Sequence, residues 1–183
     1  MAPCGVFEMP VGEGRLLIAG DSGAPLDDGE IFAEIYPSLR RLAAVVRPAE
    51  EDADDLVQEA LVRTLAVTGL CDLDDPGAYL RTAIVRVASN RRRSLGRRRR
   101  WLTSAQALTA TSVIPAYPSA LDDLRRLEPA ERAVLYLSVV EGRPYREIAD
   151  VLGCTEEAAR ARASRATRRL RAQLEAERSG DDG

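Results

Sequence analysis

Apolar residues recur every three or four positions along most of this chain, and proline or glycine interrupts each run. This spacing puts apolar side chains on one face of an α-helix, and the alternating pattern typical of half-buried strands is absent. Hydrophobic residues make up 45% of the chain but aromatic residues only 4%, so the cores must be built from aliphatic side chains. The pattern therefore predicts an all-α fold made of amphipathic helices.

Two small helical domains joined by a flexible linker are predicted. The first domain, residues 30–100, holds three helices with apolar stripes that begin at Ile31, near Glu50 and at Pro76, where proline suits a first helical position. These helices are expected to end, in the same order, at Pro48, at Gly69 and in the arginine run 97–100.

The second domain is predicted over residues 121–175. It should hold short helices around Leu124, from Pro129 to Gly142 and over Tyr145–Leu152, and then a long helix from Glu156. Outside the two domains we expect a flexible extension at residues 1–29, the linker at 101–120 and a C-terminal tail at 176–183.

The formal net charge of −3 hides a strong segregation of charge along the chain. Residues 1–75 carry sixteen acids against five arginines, whereas residues 76–100 carry nine arginines and no acid. Such a division suggests two different partners, one of them a polyanion. Every basic residue is arginine, which suits phosphates and guanine edges because its guanidinium binds both bidentately.

The last third of the chain has the element lengths of a helix-turn-helix that binds duplex DNA: a helix at Tyr145–Leu152, a turn at Gly153–Thr155, and a longer helix. Gly153 can adopt the left-handed conformation that ends a helix, and Thr155 is a favourable N-cap. Residues 160–171 hold six arginines and no acid, as phosphate neutralisation in the major groove requires. The side chains expected to face DNA are Thr155, Glu157, Arg160, Arg162, Ser164, Arg165 and Arg168.

Catalysis, metal binding and membrane insertion are disfavoured by what the chain lacks. It has no histidine, no glycine-rich phosphate loop and no metal-ligand motif, so neither an enzyme nor a cofactor is expected. The three cysteines, Cys4, Cys71 and Cys154, are too far apart to suggest a disulfide framework. No apolar run approaches the length of about 20 residues needed to span a membrane, and no secretory signal begins the sequence. A cytoplasmic protein is expected.

Short motifs follow one another along the two predicted domains: DADDLVQE at residues 52–59, AYLR at 78–81 before the arginine block, LEPAER at 127–132, and YREIA and LGCT at 145–149 and 152–155. They resemble regions two and four of the extracytoplasmic-function (ECF) sigma factors of bacterial RNA polymerase, whose signature in region two is D-A-E-D-L-V-Q-E. The resemblance covers about residues 30–175 and is to an arginine-rich actinobacterial subgroup in particular.

The resemblance implies a transcription initiation factor that confers promoter choice on core RNA polymerase. It implies that the first domain binds the β′ clamp and melts and reads the −10 element, and that the second binds the β flap and the duplex −35 element. Many such factors are also held by an anti-sigma factor. The matching clamp-binding positions are Asp54, Asp55, Leu56, Gln58 and Glu59, and the matching −10 positions are Arg81, Arg86, Ser89, Asn90, Arg92 and Arg93.

The sequence departs from the family pattern in three places. Tyr79 stands where tryptophan is common, Arg86 where asparagine is common, and Ala158-Ala159 where Thr-Val is usual. Because aromatic residues are scarce near the −10 positions, phosphate binding is better supported there than base reading. A regulator that binds operators without polymerase is an alternative, although it would not need the acidic motif. A plain helical bundle with a solvated arginine-rich helix is another.

Overall fold

A computed structural model of the chain describes residues 27–105 and 124–181, with side chains to residue 97 in the first range and to residue 176 in the second. These residues form helices and connecting turns, which confirms the all-α prediction. The helices are α1 (Asp28–Val46), α2 (Ala53–Leu65), α3 (Pro76–Ala105), α4 (Pro129–Leu135), a π-helix (Tyr136–Val140), α5 (Tyr145–Leu152) and α6 (Glu156–Asp181). Most of the predicted N-terminal extension and linker lies outside the described residues.

Side-chain caps fix where the first two helices begin. The Asp27 carboxylate accepts from the Glu30 amide at 2.8 Å, and the Glu30 carboxylate accepts from the Asp27 amide at 3.1 Å. This reciprocal capping box starts α1 before its apolar stripe. Asp52 caps α2 by accepting from the Asp54 amide at 2.8 Å, so α2 begins at Ala53 rather than near Glu50.

The first domain packs α1, α2 and α3 against one another around aliphatic side chains. Burying such a side chain stabilises the fold by about 1.5–3 kcal/mol. The expected end of α2 at Gly69 is wrong: the helix ends at Leu65, and the Thr64 carbonyl accepts the amides of both Val67 and Thr68 in the following turn. The leucine, isoleucine and valine residues of this domain that are 0% exposed are Leu39, Leu42, Val46, Leu56, Val57, Leu70, Leu80 and Ile84.

Two helices are longer than predicted. α3 continues through the arginine run to Ala105, five residues into the segment assigned to the linker. Arginine has a high helix propensity, so the run ends the apolar stripe without ending the helix. α6 continues to Asp181, so most of the predicted tail is helical. No helix among the described residues is long and apolar enough to cross a membrane.

The second domain contains a change of helical phase. α4 passes directly into the π-helix Tyr136–Val140. Because a π-turn holds more residues than an α-turn, it rotates the residues that follow. Val139 follows Leu135 by four residues, the spacing of one face of an α-helix, yet it is 77% exposed. The segment then ends at Gly142, as predicted, with a positive φ of 64°.

The two domains pack directly against each other. α4 contacts α1 and α3, and α5 contacts α3. One buried apolar cluster runs from Leu39 and Leu80 in the first domain to Val134 and Ile148 in the second. Val85, outside the stripe that faces α1 and α2, is 4% exposed because it lies towards the second domain. The described parts of the two predicted domains therefore share a core.

Candidate polymerase and DNA interfaces

The residues predicted to bind the clamp lie on α2, and two of them form an open surface. Asp55 and Gln58 are exposed and stand three residues apart, so they share one side of the helix. The acceptors that these two side chains present to solvent suit a basic partner surface.

Asp54 is engaged within the fold. Its carboxylate accepts from the Tyr36 hydroxyl at 2.6 Å and from Arg40 Nε at 2.8 Å. These hydrogen bonds, Tyr36 first, hold the pKa of Asp54 below its ordinary value. The same bond to Asp54 raises the pKa of Tyr36. Asp54 therefore stays ionised and ties α2 to α1.

Glu59 and Leu56 do not belong to this exposed surface. Glu59 is half-buried and forms ion pairs with Arg63 and Arg91, and Arg91 also pairs with Glu51. Leu56 is 0% exposed. The expectation that Leu56 offers its side chain to a partner does not fit this structure, because the residue lies on the apolar face of α2 that packs against α1 and α3.

The −10 candidates lie along three turns of α3 and differ in exposure. Arg86, Asn90 and Arg93 are exposed, and Arg93 donates to the Asn90 side-chain oxygen at 2.7 Å. Arg81 is 8% exposed and donates to the Ser38 hydroxyl at 3.3 Å. Burial, and then the nearby Arg143, lower the pKa of Arg81. Ser89 and Arg92 are half-buried.

A groove of about 570 Å³ separates this part of α3 from the second domain. Arg86, Ser89, Asn90 and Arg93 line one wall, and residues that include Glu131 and Arg162 line the other. The structure thus brings four −10 candidates together along one wall of a groove whose other wall belongs to the second domain.

The helix-turn-helix forms as predicted. Gly153 ends α5 with φ 61° and ψ 46°, in the left-handed region. The Thr155 hydroxyl accepts from the Ala158 amide at 3.2 Å, as an N-cap of α6 should. Ala159 is 0% exposed, and a small side chain at this position lets α6 pack closely on the helices beneath it.

Most of the predicted duplex-binding residues share the open side of α6. The exposed members on the helix itself are Glu157, Arg160, Ser164, Arg165 and Arg168. Their successive spacings of three, four, one and three residues keep them on one side of the helix. Thr155 is exposed at the N-terminal end. Arg160 bonds to Glu156 at 3.1 Å through Nε and lies 5.0 Å from the centre of the Tyr145 ring. These contacts hold its guanidinium near the start of the helix.

Arg162 is separated from that set, and Arg171 belongs with it. Arg162 is half-buried, lies 3.9 Å from the Cys154 sulphur and lines the groove towards α3. Arg171 is exposed and follows Arg168 by three residues, so it continues the same side of α6. Its helical spacing was visible in the sequence, but Arg171 was absent from the predicted set.

Two family models match the chain, one in each domain. Residues 31–98 match the model described as Sigma-70 region 2, and residues 122–170 match Sigma-70, region 4. ECF RNA polymerase sigma factor EcfG of Rhodopseudomonas palustris (strain TIE-1) is 32% identical over 174 residues, which cover 87% of this chain and 92% of EcfG. ECF RNA polymerase sigma factor SigJ of Mycobacterium tuberculosis (strain ATCC 25618 / H37Rv) is 36% identical over 156 residues, 78% of this chain and 49% of SigJ. The chain thus spans about half the length of SigJ.

Solved structures show a similar fold. The sigma factor RpoE of Bartonella quintana, in complex with the anti-sigma factor NepR, has a TM-score of 0.58 at 24% identity, covering 80% of this chain and 96% of RpoE. CnrH, in complex with the cytosolic domain of CnrY, has a TM-score of 0.52 at 25% identity, covering 81% of this chain and 88% of CnrH. With both domains matched in order and a relative covered almost throughout, the chain belongs to the extracytoplasmic-function (ECF) RNA polymerase sigma factors.

Proposed function

We propose that the protein binds core RNA polymerase and directs promoter recognition and DNA melting at the start of transcription, with no catalytic step of its own. It would act in the cytoplasm, together with the polymerase. The observation that carries this proposal is that one chain combines an open acceptor surface on α2 with arginine-rich helices in both domains, α3 and α6.

The polymerase contact centres on Asp55 and Gln58. They are the members of the predicted clamp surface that stand open to solvent, whereas Asp54 and Glu59 already have partners within the domain. We assign these two exposed residues to the β′ clamp, and Asp54 and Glu59 to holding the helix that presents them. A further contact, between the second domain and the β flap, follows from family membership.

The DNA contacts divide between duplex and single strand. The open side of α6 carries Arg165 and Arg168 and can neutralise phosphates of the −35 element while side chains near its N-terminus reach base edges. Arg86 and Arg93 on α3 would guide a melted −10 strand by its phosphates. RpoE and CnrH form complexes with NepR and CnrY, and we propose that an anti-sigma protein also binds this chain.

Binding to core polymerase tests this function. Asp55→Ala and Gln58→Ala, separately and together, should weaken retention on immobilised core enzyme and lower run-off transcription, because each removes an exposed acceptor. Glu34→Ala, an exposed acid on α1, is the matched control and should bind as the wild type does. No binding of the wild-type chain to core polymerase would refute the function. Normal binding by the double variant would show that the clamp surface lies elsewhere.

A further inference from the structure

A pocket of about 550 Å³ lies beside the C-terminal end of α1, and its volume is in the range of small-molecule sites. Its walls come from the turn after α1, from α3, and from α4 with the residues just before it. Six arginines and two glutamates line it, so the lining carries an excess of four positive charges. The glutamates are Glu50 and Glu128, and the arginines are Arg47, Arg92, Arg93, Arg97, Arg125 and Arg132.

Backbone carbonyls hold the least exposed arginines of this pocket. Arg132 Nη1 donates to the carbonyls of Val45 at 2.8 Å and Arg47 at 2.9 Å. Arg92 Nη1 donates to the carbonyl of Arg125 at 3.2 Å, and Arg47 donates to three carbonyls of the turn that follows it. A carbonyl is a neutral acceptor, so it orients a guanidinium without balancing its charge.

The lining side chains balance this positive charge only in part. Arg92 Nη2 lies 3.3 Å from the Glu128 carboxylate, which offsets one charge. Arg132 is 2% exposed, and its Nε is buried without a hydrogen-bond partner. Burial first, and then repulsion by Arg92, lower the pKa of Arg132 to about 10. A guanidinium that is still charged at neutral pH is therefore held beside others, and an anion would stabilise this arrangement.

We propose that the pocket binds a small anion with two linked phosphate groups, of which inorganic pyrophosphate is the simplest. Arginine binds phosphate oxygens in pairs and stays charged at neutral pH. Two phosphate groups carry a charge of about −3 to −4, which matches the excess of four positive charges in the lining. Arg93, Arg97 and Arg125 are exposed, so they are the first arginines that an anion from solution meets.

The site goes beyond the proposed function, because its ligand is a small molecule rather than DNA or polymerase. Arg92 and Arg93 also belong to the −10 candidates. The other four arginines of the pocket were assigned to neither promoter element.

Isothermal titration calorimetry of the full chain with sodium pyrophosphate tests the site. The wild type should bind one pyrophosphate per chain. At the same ionic strength it should bind pyrophosphate about tenfold more tightly than inorganic phosphate, because two linked groups engage the arginines together. Arg125→Ala and Arg97→Ala should each weaken pyrophosphate binding by about three- to fivefold, the effect of losing a solvent-exposed ion pair.

Arg126→Ala is the matched control. Arg126 is exposed and adjacent to Arg125 but does not line the pocket, so this variant should bind pyrophosphate as the wild type does. The three variants replace exposed side chains, and circular dichroism checks that each keeps the helix content of the wild type. If the wild type shows no saturable binding, or if Arg125→Ala and Arg126→Ala lose affinity equally, the proposal is overturned, because overall charge would then account for any binding.

The comparison with inorganic phosphate separates a free ligand from the phosphates of a DNA strand. Strand phosphates are single groups, so a pocket that receives them should bind phosphate and pyrophosphate about equally well at the same ionic strength. That result would overturn the proposal in favour of a DNA contact. Loss of core polymerase binding, measured separately, would refute the proposed function and leave this site standing.

Discussion

Single side chains join helices that are distant in sequence. Asp54 was predicted as an exposed contact, yet its carboxylate receives Tyr36 and Arg40 from α1. The motif was enough to assign Asp54 to the clamp-binding positions. It could not identify the hydrogen-bond partners of Asp54, because Arg40 and Tyr36 lie fourteen and eighteen residues away in the sequence. Because of these hydrogen bonds, Asp54 holds α2 in place against α1 and does not itself belong to the exposed acceptor surface of Asp55 and Gln58.

The link through Asp54 should make stability depend on pH. Its pKa is lowered in the folded protein, so the contribution to stability is present above the ordinary aspartate value and is lost as the pH falls through the lowered pKa. Asp54→Asn should therefore flatten the acid side of the curve of stability against pH, measured by urea unfolding. Asp55→Asn, at the exposed neighbouring position, is the control. If Asp54→Asn lost stability at acid pH as steeply as the wild type does, this role would be contradicted.

Gly153 is the residue whose backbone conformation the helix-turn-helix requires. At φ 61° an L side chain is strained, so Gly153→Ala should lower the free energy of unfolding by about 1 kcal/mol. A Cβ there would meet only Arg86 Nη2 at 3.7 Å, an ordinary contact, so the cost comes from the backbone. Gly96→Ala, inside α3 with open space around its Cβ, should instead stabilise by about 0.5–1 kcal/mol. Equal effects of the two substitutions in thermal or urea unfolding would exclude this explanation.

Among the elements, α6 was predicted best and α4 least well. α6 has a capped start, a small-residue inner face and arginines outside it, all local features of the sequence. The π-helix after α4 breaks the constant period on which such predictions depend, so Val139 is exposed although it keeps the α-helical spacing from Leu135. Arg162 was also assigned to the DNA side, although its position on α6 turns it towards the groove.

The exposed side of α6 should set the salt dependence of duplex binding. Replacing Arg165 by alanine should make the plot of log K for duplex binding against log salt concentration less steep. The slope should change by about 0.9, the value for one phosphate contact. Arg169→Ala is the control on the same helix, since Arg169 is paired with Glu131. The measurement is a fluorescence anisotropy titration at several salt concentrations. An unchanged slope for Arg165→Ala would remove that residue from the phosphate contacts.

At the scale of the whole molecule, the shared core should couple the two domains in stability. Leu56→Ala, at a fully buried position in the first domain, should destabilise by about 2–5 kcal/mol. Hydrogen exchange followed by mass spectrometry should then accelerate in α4 and α5 as well as in α1–α3. Val62→Ala, at a position 66% exposed on the same helix, is the control. Faster exchange confined to the first domain would show that the domains open independently.

The sequence by itself determined the helical class, the helix-turn-helix with its glycine stop and threonine cap, and the acidic motif that begins α2. These are local features, set by periodicity, capping and backbone preference within a few residues. The arginine-rich subgroup stays a prediction. Only the tertiary structure decided which arginines remain open. Arg81, Arg92 and Arg132 look equally solvated along the chain, yet each is engaged by the other domain. Periodicity places a residue on its own helix, but it cannot say which distant element packs against that face.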